Sequence, residues 1–289
     1  MKVIKLKGGL GNQMFQYAFA KALQKRTRDV VKIDDSYYKV LVGDNIRKVR
    51  IRRFNLSIPF ASREDVRSLC KVPHESNPLS FIYKSGLILE KIINRSYYFE
   101  RNRMFVDFDK LTKYKYFDGY WQSWRYVDSV RDELEKDFLI PKNIDLRTQM
   151  MIERVASQNS VFIGVRKGDY GNNTKRFGCF DQEYYDKAMK IIADKIDNPI
   201  FYVFSNDIQW VKENMEFQKW NVVFREDYVD DFDELMIMAN CKHAIIINST
   251  YHWWGARLKE TKDKMVIAPK KWFFDTDKID ILPPNWIKI

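Results

Sequence analysis

The chain has 289 residues, 45% of them hydrophobic and 15% aromatic, and its 50 Lys and Arg outnumber 39 Asp and Glu for a formal net charge of +11. Such a composition excludes a disordered polypeptide and allows two domains with separate cores; because the cations are interleaved with acids, it also argues against a nucleic-acid arm, and leaves a phosphorylated ligand or an anionic membrane surface as partners the charge would suit. Cys70, Cys179 and Cys241 are too few and too irregularly spaced for a disulfide framework or a thiolate metal cluster, which fits a reducing cytoplasm; no apolar stretch reads as a signal peptide or a membrane span, so any membrane contact would be peripheral.

Lys2–Lys7 alternates apolar residues with lysines and predicts a strand, followed by the turn Gly8-Gly9-Leu10-Gly11. Phe15, Ala18, Phe19, Ala22 and Leu23 then recur at helical spacing as far as Arg26, and Val30–Ile33 forms a second strand ending at Asp34-Asp35. Arg47–Arg53 is strongly basic and shows no period. Ser62-Arg63-Glu64-Asp65 has the form of a capped helix start, and a further helix is expected over Leu79–Asn94. Tyr97–Phe99 and Lys115–Gly119 read as short strands, and Val127, Val130, Leu134 and Phe138 as one amphipathic helix with Ser123 as its cap and Pro141 beyond its end.

From Val161 onward the rhythm is regular. Strands are predicted at Val161–Arg166, Pro199–Ser205, Asn221–Phe224, His243–Ile247 and Met265–Ala268, and helices over Gln182–Asp194, Ile208–Glu213, Asp231–Asn240 and Tyr251–Glu260. Alternation of this kind builds a Rossmann-like parallel sheet. The expected organisation is an N-terminal α/β domain, residues 1–150, and a C-terminal one, residues 151–289, with the irregular tail Asp275–Ile289 able to cross back to the first domain.

In parallel α/β sheets ligands bind beyond the carboxyl ends of the strands, so the polar residues there are the candidate site. Arg166-Lys167-Gly168-Asp169 follows the strand at Val161; a guanidinium fork suits a pyrophosphate and the charge that grows on it as a glycosidic bond breaks. Ser205, Asn206 and Asp207 follow another strand, where a carboxylate can accept from a base or ribose. Asn248-Ser249-Thr250-Tyr251 opens a helix whose free amides and hydroxyls make an anion site. At the first turn, Gly9-Leu10-Gly11-Asn12-Gln13-Met14 is a partial dinucleotide fingerprint with Met14 in place of the third glycine, so a nicotinamide site using Asp34 competes with a sugar or phosphate contact through Asn12. His74, His243 and His252 are scattered, and no histidine metal site or triad is visible. Asp107-Phe108-Asp109 and Asp275-Thr276-Asp277 have a metal-binding spacing but follow no buried strand, and Trp253-Trp254 reads as core.

With these residues in view the chain resembles the bacterial α-1,2-fucosyltransferases of glycosyltransferase family 11. The resemblance runs in order through GGLGNQMFQYAFAKAL at Gly8–Leu23, GYWQS at Gly119–Ser123, VRKGDY at Val165–Tyr170, FSND at Phe204–Asp207, NSTYHWWGARL at Asn248–Leu258, APKKWF at Ala268–Phe273 and the terminal PPNWIKI. VRKGDY departs from the family's HxRRGDY at two positions, with Gly164 in place of histidine and Lys167 in place of the second arginine. Gly164 leaves room that another side chain or a water must fill.

What the resemblance implies is a GT-B fold of two facing Rossmann-like domains and inverting, metal-independent transfer of fucose from GDP-β-L-fucose to the 2-hydroxyl of a galactose in a glycan. Arg166 would be the catalytic arginine, Asn12 would lie where donor meets acceptor, and Asp169 is a candidate base by proximity. A dissociative path, in which the leaving diphosphate takes the proton, is the alternative. Gly11, Gln13, Arg166, Lys167, Ser205, Asp207, Asn248, Ser249, Thr250 and Tyr251 are the expected donor contacts. Two rival readings are a nicotinamide-dependent dehydrogenase and a glycan-binding relative without turnover.

Overall fold

A computed structural model describes residues 1–39, 48–70, 86, 88, 90, 93–138, 144–166, 180–225 and 230–289. The chain is α/β and divides into two compact units, the first formed by Met1–Lys142 with Lys278–Ile281 and the second by Asn143–Asp277 with Leu282–Ile289. The tail predicted to cross back does so only for those four residues and then returns to the second unit. Two Rossmann-like units in one chain are the components of the fold class expected from the sequence.

In the first unit the four strands β1 (Lys2–Lys5), β2 (Val31–Asp34), β3 (Tyr97–Phe99) and β4 (Tyr116–Asp118) lie in the order β2-β1-β4-β3. All three pairings are parallel. Helix α1 (Leu10–Thr27) carries the chain from β1 to β2; from Leu10 to Leu23 it is buried on almost every side, as a helix without a polar face must be. It ends on Arg28 in the left-handed conformation, φ 58°, whose amide closes back on Gln24. Ser62 and Asp65 form the predicted capping box of α2 (Arg63–Leu69), side chain of each to amide of the other. The single helix expected from Val127 to Phe138 is instead two, α3 (Trp124–Asp128), capped by Ser123, and α4 (Arg131–Phe138). The helix expected over Leu79–Asn94 lies mostly outside the described residues.

In the second unit α5 (Leu146–Ser157), capped by Asp145, precedes β5 (Ser160–Val165). The chain continues through α6 (Gln182–Ala193), β6 (Ile200–Ser205), α7 (Ile208–Asn214), β7 (Val222–Phe224), α8 (Asp231–Asn240), β8 (His243–Ile245), α9 (Thr250–Arg257), β9 (Val266–Ala268) and β10 (Ile287–Lys288). The sheet order is β10-β9-β8-β5-β6-β7 and every pairing is parallel. The first three strands therefore run outward in one direction from β5 and the last three in the other, so the order reverses between β5 and β8.

Strand β5 is buried along its whole length, and its side chains alternate between two layers. Val161, Ile163 and Val165 join a core with Tyr185, Ala188, Met189 and Ile192 of α6. Phe162 and Gly164 face α9 instead: a side-chain carbon on Gly255 would lie 3.4 Å from Phe162, and one on Gly164 would fall inside the ring of His252. Trp253 and Trp254 are buried, as core residues. Among the described residues no helix is long and apolar enough to cross a membrane.

Candidate functional site

The strand reversal in the second unit fixes where its site is. At a switch point the two crossover helices leave on opposite sides of the sheet, and a crevice opens beyond the carboxyl ends of the two adjacent strands. Here those strands are β5 and β8. Arg166 is the residue after β5, and Asn248, Ser249 and Thr250 lead from β8 into α9. Ser205 closes β6, the next strand along, and Asp207 follows it. The topology thus brings the three polar strand ends picked out in the sequence to one edge of one sheet.

Their side chains are partly committed to holding that edge. Ser249 caps α9, its Oγ accepting from the His252 amide at 3.4 Å, and is buried, as is Asn248, whose Nδ2 donates to the Trp272 carbonyl at 2.9 Å. Thr250 is the first helical residue and is half-buried. Tyr251 donates to the Asp231 carbonyl, and its hydroxyl also contacts Glu234. Asp207 is exposed and caps α7 by accepting from the Trp210 amide at 3.0 Å, while Ser205 accepts from the Asp207 amide at 3.0 Å. The groups at this edge whose chemistry suits an anion are the guanidinium of Arg166, the Thr250 hydroxyl and the amides of the first turn of α9. Lys167 and Asp169 lie outside the described residues.

The space opened by Gly164 is filled by His252. A side-chain carbon built on Gly164 would stand 2.3 Å from His252 Nδ1 and 2.6 Å from both Cγ and Cε1, so the glycine is required by the ring. His252 is 4% exposed, and its Nδ1 has no hydrogen-bond partner among the described residues. Burial, and then the charge of Arg166, lower its pKa to about 3, so the imidazole is neutral at ordinary pH. On α8, burial raises Glu234 to about 7 against the lowering effect of Tyr251 and Arg225.

The two shifts have opposite linkage. The unfolded chain binds the extra proton for His252 between the folded value and 6.5, so that group's contribution to stability rises with pH. For Glu234 the folded chain binds it between 4.5 and about 7, so its contribution falls with pH. Between pH 5 and 6.5 they oppose each other in the wild-type protein. His252→Ala should uncover the Glu234 slope: the stability gap between wild type and variant changes by about 1.5 kcal/mol from pH 5 to 6.5, the slope falling from roughly 1.4 kcal/mol per pH unit to half of that as the unfolded histidine loses its proton. Urea titrations at the two pH values measure it, and an unchanged gap would show that His252 is not held neutral in this way.

The first unit places a second polar constellation at the ends of β1 and β4. Gly8 takes the left-handed conformation, φ 81°, and its carbonyl accepts from Gln13 Nε2 at 3.1 Å and Tyr38 Oη at 2.7 Å. Gln13 is fully buried and uses both ends of its amide, also donating to the Lys48 carbonyl and accepting from the amides of Arg50 and Ile51. Gln13 therefore fixes the glycine turn to the segment after it. Gly11 is buried in the first turn of α1. Asn12 is half-buried, and its Oδ1 accepts from Gln122 Nε2 at 2.8 Å. The Oε1 of Gln122 is buried with no hydrogen-bond partner among the described residues, which leaves an acceptor available next to Asn12.

Gln122 is presented by a strained loop. Trp121 has φ 55°, an unusual conformation for a bulky residue, and its ring stacks on Phe19 at 3.8 Å and 4°. The Glu100 carboxylate holds the loop by accepting from the Tyr120 amide at 2.6 Å and the Trp121 amide at 3.2 Å. Gly119 is needed here, because a side-chain carbon would meet Glu100 at 2.6 Å and Trp121 at 2.8 Å. Gln122 and His252 both lie inside motifs quoted above, yet nothing in their spacing marks them. Asp34 donates no support to a ribose site: it accepts from Tyr116 Oη at 2.6 Å and the Ser36 amide at 2.8 Å within the first unit. Asp107 caps a short turn and Asp109 pairs on the surface with Arg26, and no group of His, Cys, Asp and Glu among the described residues could hold a metal ion.

Comparison with known proteins gives a consistent result. The sequence pattern of the family described as "Glycosyl transferase family 11" matches residues 1–289. The O-antigen biosynthesis glycosyltransferase WbnK of Escherichia coli is 29% identical, over 98% of this chain and 99% of that protein. An Escherichia coli protein named alpha-1,2-colitosyltransferase is 31% identical, over 99% of this chain and 98% of its own length. Galactoside alpha-(1,2)-fucosyltransferase 2 of Rattus norvegicus is 25% identical, over 87% of this chain and 65% of its own.

Proposed function

The chain belongs to glycosyl transferase family 11, and on that premise we propose that it transfers L-fucose from GDP-β-L-fucose to the 2-hydroxyl of a galactose residue in a glycan, inverting the anomeric centre. The observation that carries this reading is the convergence of Arg166 and the start of α9 at the strand reversal of the second unit. Arg166 neutralises the diphosphate as the glycosidic bond lengthens, and the amides of the first turn of α9 with the Thr250 hydroxyl share that charge. Asp207 accepts from guanine or ribose. Asn12 orients the acceptor hydroxyl, its amide held by Gln122. No step calls on a metal, since the charge of the leaving group is met by protein groups.

The relative named alpha-1,2-colitosyltransferase favours a second donor, GDP-colitose, in the same site. Colitose is fucose without its 3-hydroxyl. A site that hydrogen-bonds that hydroxyl rejects the deoxy sugar by about 10⁴, whereas a site that merely tolerates it discriminates by about 10² or less. Calorimetry with GDP, GDP-fucose, GDP-colitose and UDP-galactose, followed by linkage analysis of the product on a β-galactoside, separates these readings. Tight binding of the guanine nucleotides and a new α-1,2 linkage are expected. Equal affinity for UDP-galactose would exclude the guanine site, and faster turnover of GDP-colitose would replace fucose as the donor.

A further inference from the structure

Gly164 is the penultimate residue of β5 and Arg166 directly follows the strand, two residues on, so strand alternation continued by one residue puts both side-chain positions toward the same face of the sheet. That face is covered by α9, whose His252 stands over Gly164 and whose Gly255, one turn later, stands beside Phe162. The imidazole is thus stacked along the strand immediately ahead of the stem of Arg166. We propose that His252 is a positioning residue for Arg166, its ring filling from α9 the volume at position 164 and fixing the direction in which the guanidinium leaves the strand toward the donor diphosphate.

Three observations meet in this assignment. The ring and a side chain at position 164 exclude one another, since three of its atoms lie within 2.6 Å of where that side chain would begin. His252 is buried to 4% exposure with Nδ1 unpartnered among the described residues, an expensive arrangement for a group whose only task is to fill space. The guanidinium charge of Arg166 adds to burial in disfavouring protonation of the ring, so the imidazole does not compete with the arginine for an anion. In the family pattern quoted above a histidine occupies position 164 itself. This chain delivers an imidazole to the same volume from the helix, and glycine and histidine form a matched pair.

The identity of the diphosphate as that of GDP-fucose rests on the proposed function; the pairing of His252 with Arg166 does not. The test measures binding of inorganic pyrophosphate and of GDP by calorimetry to the full-length wild type, to His252→Ala and to the exchanged variant Gly164→His/His252→Ala, with circular dichroism to establish that each is folded. His252→Ala should bind both ligands about tenfold more weakly, a loss of roughly 1.4 kcal/mol. The exchanged variant should recover affinity to within about threefold of wild type, because the ring again lies beside Arg166. Wild-type affinity in His252→Ala overturns the proposal, as does an exchanged variant that is unfolded or binds no better than the single one. A wild type that binds pyrophosphate but not GDP refutes the guanine donor while leaving the pairing to be judged on pyrophosphate. A wild type that binds neither refutes both.

Discussion

Arg166→Lys is expected to lower kcat/KM for glycosyl transfer by about 10²–10³ while the protein remains folded, the scale on which removing one preorganised donor to developing charge acts. Lysine keeps the charge but loses the planar fork, and a single ammonium cannot follow two phosphate oxygens at once. The effect should fall mainly on kcat if Arg166 meets charge that appears as the bond breaks, and on KM if it holds the ground-state diphosphate equally well. Steady-state kinetics on the preferred donor makes the division. Transfer at the wild-type rate in Arg166→Lys would move the leaving-group site away from the end of β5.

Asp118→Asn is expected to destabilise the first unit by about 3–5 kcal/mol, because it removes the buried carboxylate with which two lysines pair. Asp118 closes β4, and its carboxylate receives Lys7 Nζ at 2.5 Å, Lys5 Nζ at 3.5 Å and Tyr97 Oη at 2.7 Å. Lys5 is 2% exposed and Asp118 is 3% exposed, so neither charge has water in reserve. Burial on its own would raise the carboxyl, but the two lysines and the hydrogen bonds outweigh it and hold the group well below the usual carboxylate range. A depressed folded value means that the contribution is complete above the ordinary 3.8 and is lost only as pH falls below it. Urea denaturation at pH 7 should show the full loss, and the difference between wild type and Asp118→Asn should shrink below pH 4. Equal stability at pH 7 would mean that the lysines find other partners.

Much of the second unit was legible because its strands are apolar runs bounded by polar caps. Asp231–Asn240 was read to the residue. The gathering of its polar strand ends was legible for the same reason: Arg166, Ser205 and Asn248 are polar residues at or just past the ends of buried strands, and parallel topology brings such residues to one edge. Helix α5 escaped because its apolar residues do not mark its buried face; Leu146 and Met150 are exposed, at 72% and 61%, while Thr148 and Val155 are buried. The break between α3 and α4 escaped because Val127, Val130 and Leu134 keep helical spacing across it, and all three are buried whether or not the helix is continuous. Gln13 was expected on the donor from its neighbourhood alone, and only the positions of Lys48, Arg50 and Ile51 show that its amide is occupied. For His252 the missing information was the register between a helix and a strand 88 residues earlier, which no periodicity encodes.

The return of residues 278–281 to the first unit bears on how this protein is made. Ser123 caps α3 with an oxygen that accepts from the Arg125 amide, and the same hydroxyl donates to Asp280 at 2.7 Å across 157 residues of sequence; Arg125 also pairs with that carboxylate at 3.2 Å. On the ribosome the first unit would emerge with this corner open, and it could close only after residues 143–277 of the second unit had been synthesised. A nascent chain arrested between the units should therefore display α3 to proteases that the finished protein resists. A gene cut between the units would separate Asp280 from Ser123 and Arg125, whereas a circular permutant that joins 278–281 to the first unit would keep that corner closed.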